Sequence, residues 1–291
     1  MIRRVGIWLA AFALLAGCDD QGASDQPPPS PILYELANAD GEMEGWLFGT
    51  VHSLPDGVRW RTPALEDAVT RADSLMVEVA SLDGGATTAN VFRDLSTTSG
   101  LPPVLDRLEG ADRERLVEAL SEAGLSHTTF AGVEDWAVAL ALASALSPGD
   151  PANGVDRALI ADFRGRTIHQ FEGAPAQFRI FDALPSEAQR TLLMEAVSEA
   201  GEDPDKPAPY LVWLTGDADA LEDMTTDGML ADPALRKALL IDRNRAWSRR
   251  LASRLESEGP MLVAVGAAHL PGPDGLVALM EERGYTATRI Q

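Results

Sequence analysis

Apolar positions open the chain in an unbroken run. Residues 5–17 (VGIWLAAFALLAG) carry no charge, and the run is too short to span a bilayer as a helix but has the length of a signal-peptide core. The pattern then turns polar and proline-rich over residues 21–31 (QGASDQPPPSP), which can bury little apolar area and predict an extended tether. From residue 32 the chain reads as a folded domain. Residues 32–38 (ILYELAN) and 43–49 (MEGWLFG) flank Ala39-Asp40-Gly41 and predict a β-hairpin, with Asp-Gly supplying the turn. Thr62-Pro63 is a helix start, a capping side chain followed by a first-turn proline, with Leu65, Ala68 and Val69 on one face. Residues 74–80 (SLMVEVA) form a short apolar strand.

The middle reads as helical. Residues 112–123 are amphipathic and charged, and residues 134–146 (EDWAVALALASAL) are apolar almost all round, which predicts a buried helix. A helix at 156–164, a strand at 167–171 and a long helix at 185–200 follow, then a loop at 203–209. Short helices at 218–224 and 233–240 lead into a long one at 242–258. The end is a buried strand at 261–265 (MLVAV), a Gly/Pro loop at 266–275, a helix at 276–283 and an alternating edge strand at 285–290. Strands separated by helices predict an α/β sheet with a mostly helical insertion in the middle. A weak repeat joins the two ends: Gly49-Thr50-Val51-His52 and Gly266-Ala267-Ala268-His269 each follow an apolar strand and precede a Pro/Asp/Gly loop and a helix. Two related strand–Gly-x-x-His–helix halves, forming the sheet and brought face to face, are the expectation.

Arg3 and Arg4 precede the first apolar run, and Leu15-Ala16-Gly17-Cys18 ends it. That ending resembles the lipobox of bacterial lipoproteins and implies removal of a signal peptide at 1–17 and acylation of Cys18. A flexible tether at 18–31 and a domain at 32–291 would follow. The expected partner is a membrane, through the lipid anchor, with the domain facing the periplasm; Asp19 and Asp20 leave inner and outer membrane both open. Several acyl chains hold far more firmly than one.

The net charge of −21 repels phosphate backbones and argues against nucleic-acid binding. Cys18 is the only cysteine, so disulfides, thiolate zinc sites and cysteine nucleophiles are excluded from the domain. Nothing in the sequence sets an oligomeric state.

Of four histidines, His52 and His269 share one context, just past an apolar strand and three residues after a glycine. Ligands of open α/β sheets lie outside such strand ends. Glu78 sits in an otherwise apolar strand, where a carboxylate is costly unless paired, hydrogen-bonded or bound to metal. Glu172 ends the strand at 167–171. Four strand ends thus present ionisable groups, which converge if the strands are neighbours. Two imidazoles with one or two carboxylates suit a divalent transition metal such as Mn, Co or Zn, able to activate water with a spare carboxylate as base. His127, near a helix start, and His169, mid-strand, read as structural.

The chain resembles the TraB/GumN (TIKI-related) family. The resemblance rests on Leu47-Phe48-Gly49-Thr50-Val51-His52, on Val263 to Leu270 (VAVGAAHL) with Gly272, Gly275 and Gly284, and on Glu78, Gly154-Val155-Asp156, Glu172, Gln177 and Arg243-Asn244 between them. Phe171 stands where the family often has leucine. The resemblance implies an α/β fold of two related halves enclosing a cleft, and kinship to metal-dependent proteases and, more distantly, to erythromycin-esterase-like and haem-uptake proteins. It makes His52, Glu78 and His269 metal ligands and Glu172 a ligand or general base. Arg243 and Asn244 become donors that position substrate or stabilise an oxyanion. Asp156 becomes a helix cap or a support for the site, and Gln177 another support. Three functions follow: a metal-dependent hydrolase, foremost a peptidase, acting on a peptide or polymer of the cell envelope; a metal-independent esterase-like hydrolase with a histidine base; and a non-catalytic module binding an envelope glycan, peptide or cofactor.

Overall fold

The computed structural model describes residues 26–81, 86–200 and 209–291. The signal segment 1–17, Cys18 and most of the loop expected at 203–209 lie outside the described residues. Strands β1 (Leu33–Ala37) and β2 (Met43–Thr50) form the expected antiparallel hairpin. Its turn works because Gly41 takes a positive φ of 79° and the Asn38 carboxamide oxygen accepts from the N–H groups of Asp40 and Glu42, both at 3.0 Å. Helix α1 (Pro63–Arg71) is capped by the Thr62 hydroxyl, which accepts from the Leu65 N–H. Strand β3 (Ser74–Val77) follows, buried throughout.

The insertion comprises α2 (Ala86–Ser96), α3 (Gly110–Glu122), α4 (Asp135–Leu146) and α5 (Val155–Asp162). It is interrupted by β4 (Thr167–Gln170) and resumes with α6 (Ala174–Asp182), α7 (Ser186–Ala200), α8 (Pro209–Thr215), α9 (Ala218–Asp223) and α10 (Pro233–Arg236). A π-helical turn at Lys237–Ile241 joins α10 to α11 (Asp242–Leu255). Strand β5 (Met261–Gly266), α12 (Leu276–Glu281) and β6 (Thr286–Arg289) close the chain.

The six strands lie in one sheet in the order β4-β3-β5-β2-β1-β6. The four from β4 to β2 are mutually parallel; β1 and β6 extend the sheet by antiparallel pairing. The two motif strands are therefore side by side in one sheet, not in halves set face to face. Their register is staggered, with Gly49 opposite Val265 and Thr50 opposite Gly266.

Two cores hold the molecule. One fills the sheet and its covering helices, around Leu47, Phe48, Trp46, Val263 and Trp247. The other is helical, around Trp136, Leu142, Leu193 and Leu235. The apolar α4 is buried along its N-terminal half, while Ala143, Ser144 and Ala145 face out. Residues 26–31, expected within the tether, lie against the domain: Ser30 N–H donates to Leu214 O at 2.7 Å and Gln291 Nε2 to Pro31 O at 2.9 Å.

Candidate functional site

Four parallel strands in the order β4, β3, β5, β2 bring their C-terminal ends to one edge. The residues just past those ends are Glu172, Glu78, His269 and His52 in the same order, so the four expected groups do meet. His52, Glu78 and His269 line a cavity of about 400 Å³ whose other wall is apolar, formed by Trp213, Leu221 and Met224, while Glu172 stands outside that lining and reaches it only through Arg243.

His52 is held through Nδ1, 2.7 Å from Asp156 Oδ2. The other Asp156 oxygen accepts from the buried Thr50 hydroxyl at 2.7 Å. Asp156 lies inside the first turn of α5 and makes no capping bond; it is a support for His52, and the capping reading is corrected. Thr50 belongs to the motif itself, and its role was hidden because its partner is 106 residues away. Gly154 explains the crossing of the two segments: a Cβ there would lie 2.4 Å from His52 O. Gly149 meets the backbone of Leu54 in the same way, where the two loops pair as an isolated bridge.

Glu78 Oε1 accepts from Gly266 N–H at 2.8 Å; Oε2 accepts from Arg243 Nη2 at 2.6 Å and Gln177 Nε2 at 3.1 Å. Gln177, expected as a support for the site, reaches Glu78 from α6. The motif glycines need no unusual φ. A Cβ on Gly266 would crowd Glu78 Oε1 at 3.3 Å, and one on Gly49 would press on Ala267 of the neighbouring motif at 3.1 Å. Glu172 Oε1 accepts from Trp247 Nε1 at 2.9 Å, and Trp247 in turn stacks on Phe171 with ring centroids 4.8 Å apart.

Arg243 and Asn244 differ most from expectation. Arg243 donates through Nε to Glu172, through Nη2 to Glu78 and Glu172, and through Nη1 to Leu239 O and His269 Nε2. A guanidinium has five N–H donors, and all five are engaged. Asn244 is fully buried; its amide donates to His269 O and Asp274 O, and its oxygen lies 2.6 Å from His269 Nδ1. Neither residue has an N–H left for a substrate oxygen, so the oxyanion role expected for them does not match the geometry.

The electrostatics follow from these contacts. The hydrogen bond to Asp156 raises His52 to about 9, with the Asp156 and Glu78 charges adding attraction and Arg243 opposing it. Burial holds His269 neutral, down to about 4, despite the pull of Glu78. Burial works against the Glu78 carboxylate, but His269, Arg243, His52 and the Gly266 N–H together lower it to about 2. With His269 neutral above about 4, Arg243 and the protonated His52 are the attractions that last at neutral pH. Arg243 itself is raised by Glu78 and Glu172, against desolvation.

The three expected metal ligands share one cavity, but their donor atoms are taken up differently. Glu78 Oε2 and His269 Nε2 are occupied by Arg243 N–H groups. His269 Nε2 and Glu78 Oε1 stand 3.9 Å apart, wider than the roughly 3.4 Å of two donors at 2.0–2.2 Å on one tetrahedral ion. Among the described residues, no group of three or more His, Cys, Asp or Glu side chains is arranged to hold a metal ion. In this arrangement the residues do not fit one. The remaining histidines lie elsewhere: His169 pairs with Glu258 at 2.8 Å, and His127 begins a short 3-10 turn on the surface.

An α/β sheet with paired Gly-x-x-His motifs at neighbouring strand ends, and a glutamate–arginine cluster between them, defines the class. The TraB/PrgY/gumN family model matches residues 32–289, and the chain belongs to that family. Neither the curated proteins nor the solved structures contain a match.

Proposed function

We propose that the chain is a cell-envelope hydrolase of carbonyl bonds in a peptide or other polymer, with His52 and Asp156 as its acid–base pair. One observation carries this reading. Of the site's ionisable groups singled out in the sequence, His52 alone keeps a nitrogen with no protein partner among the described residues. Its side chain lines the cavity and is 71 % exposed, against 9 % for His269. A histidine oriented through one nitrogen by a buried carboxylate, with the other facing the substrate space, has the geometry of a general base. His52 Nε2 would take the proton of an attacking water and return it to the leaving group. The Trp213–Leu221–Met224 wall would receive an apolar side chain of the substrate.

The test uses the full-length protein on p-nitrophenyl esters and peptide p-nitroanilides. His52→Gln should lower turnover by about 10²–10⁴-fold, the usual scale of a general base. Wild-type rate should climb with pH up to about 9, where His52 loses its proton. Turnover should survive EDTA. Activity lost to chelation and restored by Mn²⁺, Co²⁺ or Zn²⁺ would instead favour the metallohydrolase in which His52, Glu78 and His269 bind the ion. Absence of any turnover that depends on His52 sinks the hydrolase and leaves a binding module.

A further inference from the structure

The two motif histidines are equivalent in sequence but not in their surroundings. His52 is turned toward the cavity. His269 is enclosed between Trp247, whose ring centroid is 4.5 Å away, and the Arg243–Asn244 pair. The hydrogen bonds around Asn244 decide where the His269 proton sits. Asn244 Nδ2 faces two backbone carbonyls, His269 O at 3.3 Å and Asp274 O at 2.8 Å, which can only accept. Its oxygen must therefore face His269 Nδ1, which must carry the hydrogen. Nε2 is left as a lone pair, and Arg243 Nη1 points at it from 3.3 Å.

Arg243 is fixed from every other side as well. Glu172 receives Nε and Nη2, Glu78 receives Nη2, and Leu239 O in the π-helical turn receives Nη1. Its guanidinium also lies 4.5 Å above the Trp247 ring. Only a planar, forked cation can serve two carboxylates, a carbonyl and an imidazole together; a lysine ammonium has three donors and no fork.

We propose that Arg243 is a built-in cation that takes up the acceptor atoms of Glu78, Glu172 and His269, and that Asn244 and His269 are positioning residues for it. The paired motif has thereby divided its labour. The first histidine is left for the cavity and the second receives Arg243 as a neutral Nδ1–H imidazole. This holds whether or not the cavity is catalytic, so its failure and that of the hydrolase reading are separate results.

The experiment is ¹⁵N NMR of the full-length protein labelled at histidine. Four ring systems are expected from the sequence, and His269 is assigned by the signals lost in His269→Gln. The expected result is an Nδ1–H tautomer for His269 whose signals do not move or broaden on addition of Co²⁺ alone. In Asn244→Leu, which removes the acceptor at Nδ1 while Arg243 still donates to Nε2, the ring should stay Nδ1–H with its Nδ1–H signal moved to that of an unbonded N–H. Three results overturn the proposal: an Nε2–H tautomer in the wild type; micromolar Co²⁺ broadening His52 and His269 together; or an Nδ1–H signal unmoved in a folded Asn244→Leu. If that variant does not fold, the two wild-type measurements still decide.

Discussion

Each ionisable side chain at the sheet edge was visible as a residue type at a strand end, but its state depends on one or two neighbours. His52 and His269 share a motif, yet a carboxylate raises the first to about 9 and burial lowers the second to about 4. These shifts set the pH dependence of stability. His269, with an ordinary value of 6.5 when unfolded, takes up a proton in the unfolded chain first, so stability falls as pH drops from 6.5 to about 4. Glu78 adds a further loss as pH drops from 4.5 to about 2. His52 acts in the opposite sense: its contribution is complete below 6.5 and is lost as pH rises through about 9. The urea midpoint should therefore be highest near pH 6.5. His269→Gln should flatten the limb between pH 6.5 and 4, where His269 accounts for roughly 3 kcal/mol by linkage. A limb of unchanged slope in that variant would assign the acid loss to other groups.

At the scale of elements, the hairpin, the capped α1, the buried β5 and the long α11 were legible because local pattern and local chemistry agree in each. The helices at Ala86–Ser96, Ala174–Asp182 and Pro209–Thr215 were not anticipated. Gly84-Gly85 and Pro207-Ala208-Pro209 lead into the first and third and read locally as breaks, and α6 starts at Gly173, whose φ of 87° is that of a turn. The π-helical turn before Arg243 had no sequence signal either, since an extra residue in a helix changes no composition; such turns recur at functional sites. The loop holding Gly154 is the element on which the His52–Asp156 pair rests. Gly154→Ala would drive a Cβ to 2.4 Å from His52 O, and relief requires the two segments to part. We expect a loss of about 1–3 kcal/mol, the cost of overpacking, and a His52 ring signal shifted as its Asp156 bond lengthens. Denaturant unfolding and the same histidine NMR would check both, and a variant unchanged in both measures would show that the crossing has slack.

At the scale of the whole molecule, the helical insertion closes one side of a cavity whose other side is the sheet edge, and the start of the domain is pinned beside the C-terminal Gln291 through Pro31. Among the described residues no helix is long and apolar enough to cross a membrane. We propose that attachment is by lipid at Cys18, eight residues before the chain meets the domain at Gln26. At no more than about 3.3–3.6 Å per residue, that segment reaches under roughly 30 Å, so the cavity would work close to a bilayer. Cys18→Ala should move the protein from the membrane fraction to the soluble fraction and abolish labelling by a radioactive fatty acid. Continued labelling in the variant would remove the anchor from the account.

By itself the sequence determined the class of fold, the sheet edge at which the ionisable side chains gather and the family, because strand burial, turn residues and the paired Gly-x-x-His spacing are local patterns. It also determined that no thiol takes part in the domain's chemistry, since Cys18 is the only cysteine. Only the tertiary structure decided what those residues do to one another. The parallel order β4-β3-β5-β2 puts Glu172, Glu78, His269 and His52 in one row, but the contacts that give each its role span far longer separations. Arg243 reaches Glu78 across 165 residues and His52 reaches Asp156 across 104. Hydrogen bonds are directional and saturable, so the partner that the fold holds at each ring nitrogen determines whether a histidine binds an ion, holds an arginine or faces a substrate. That assignment has no periodicity for a linear pattern to carry.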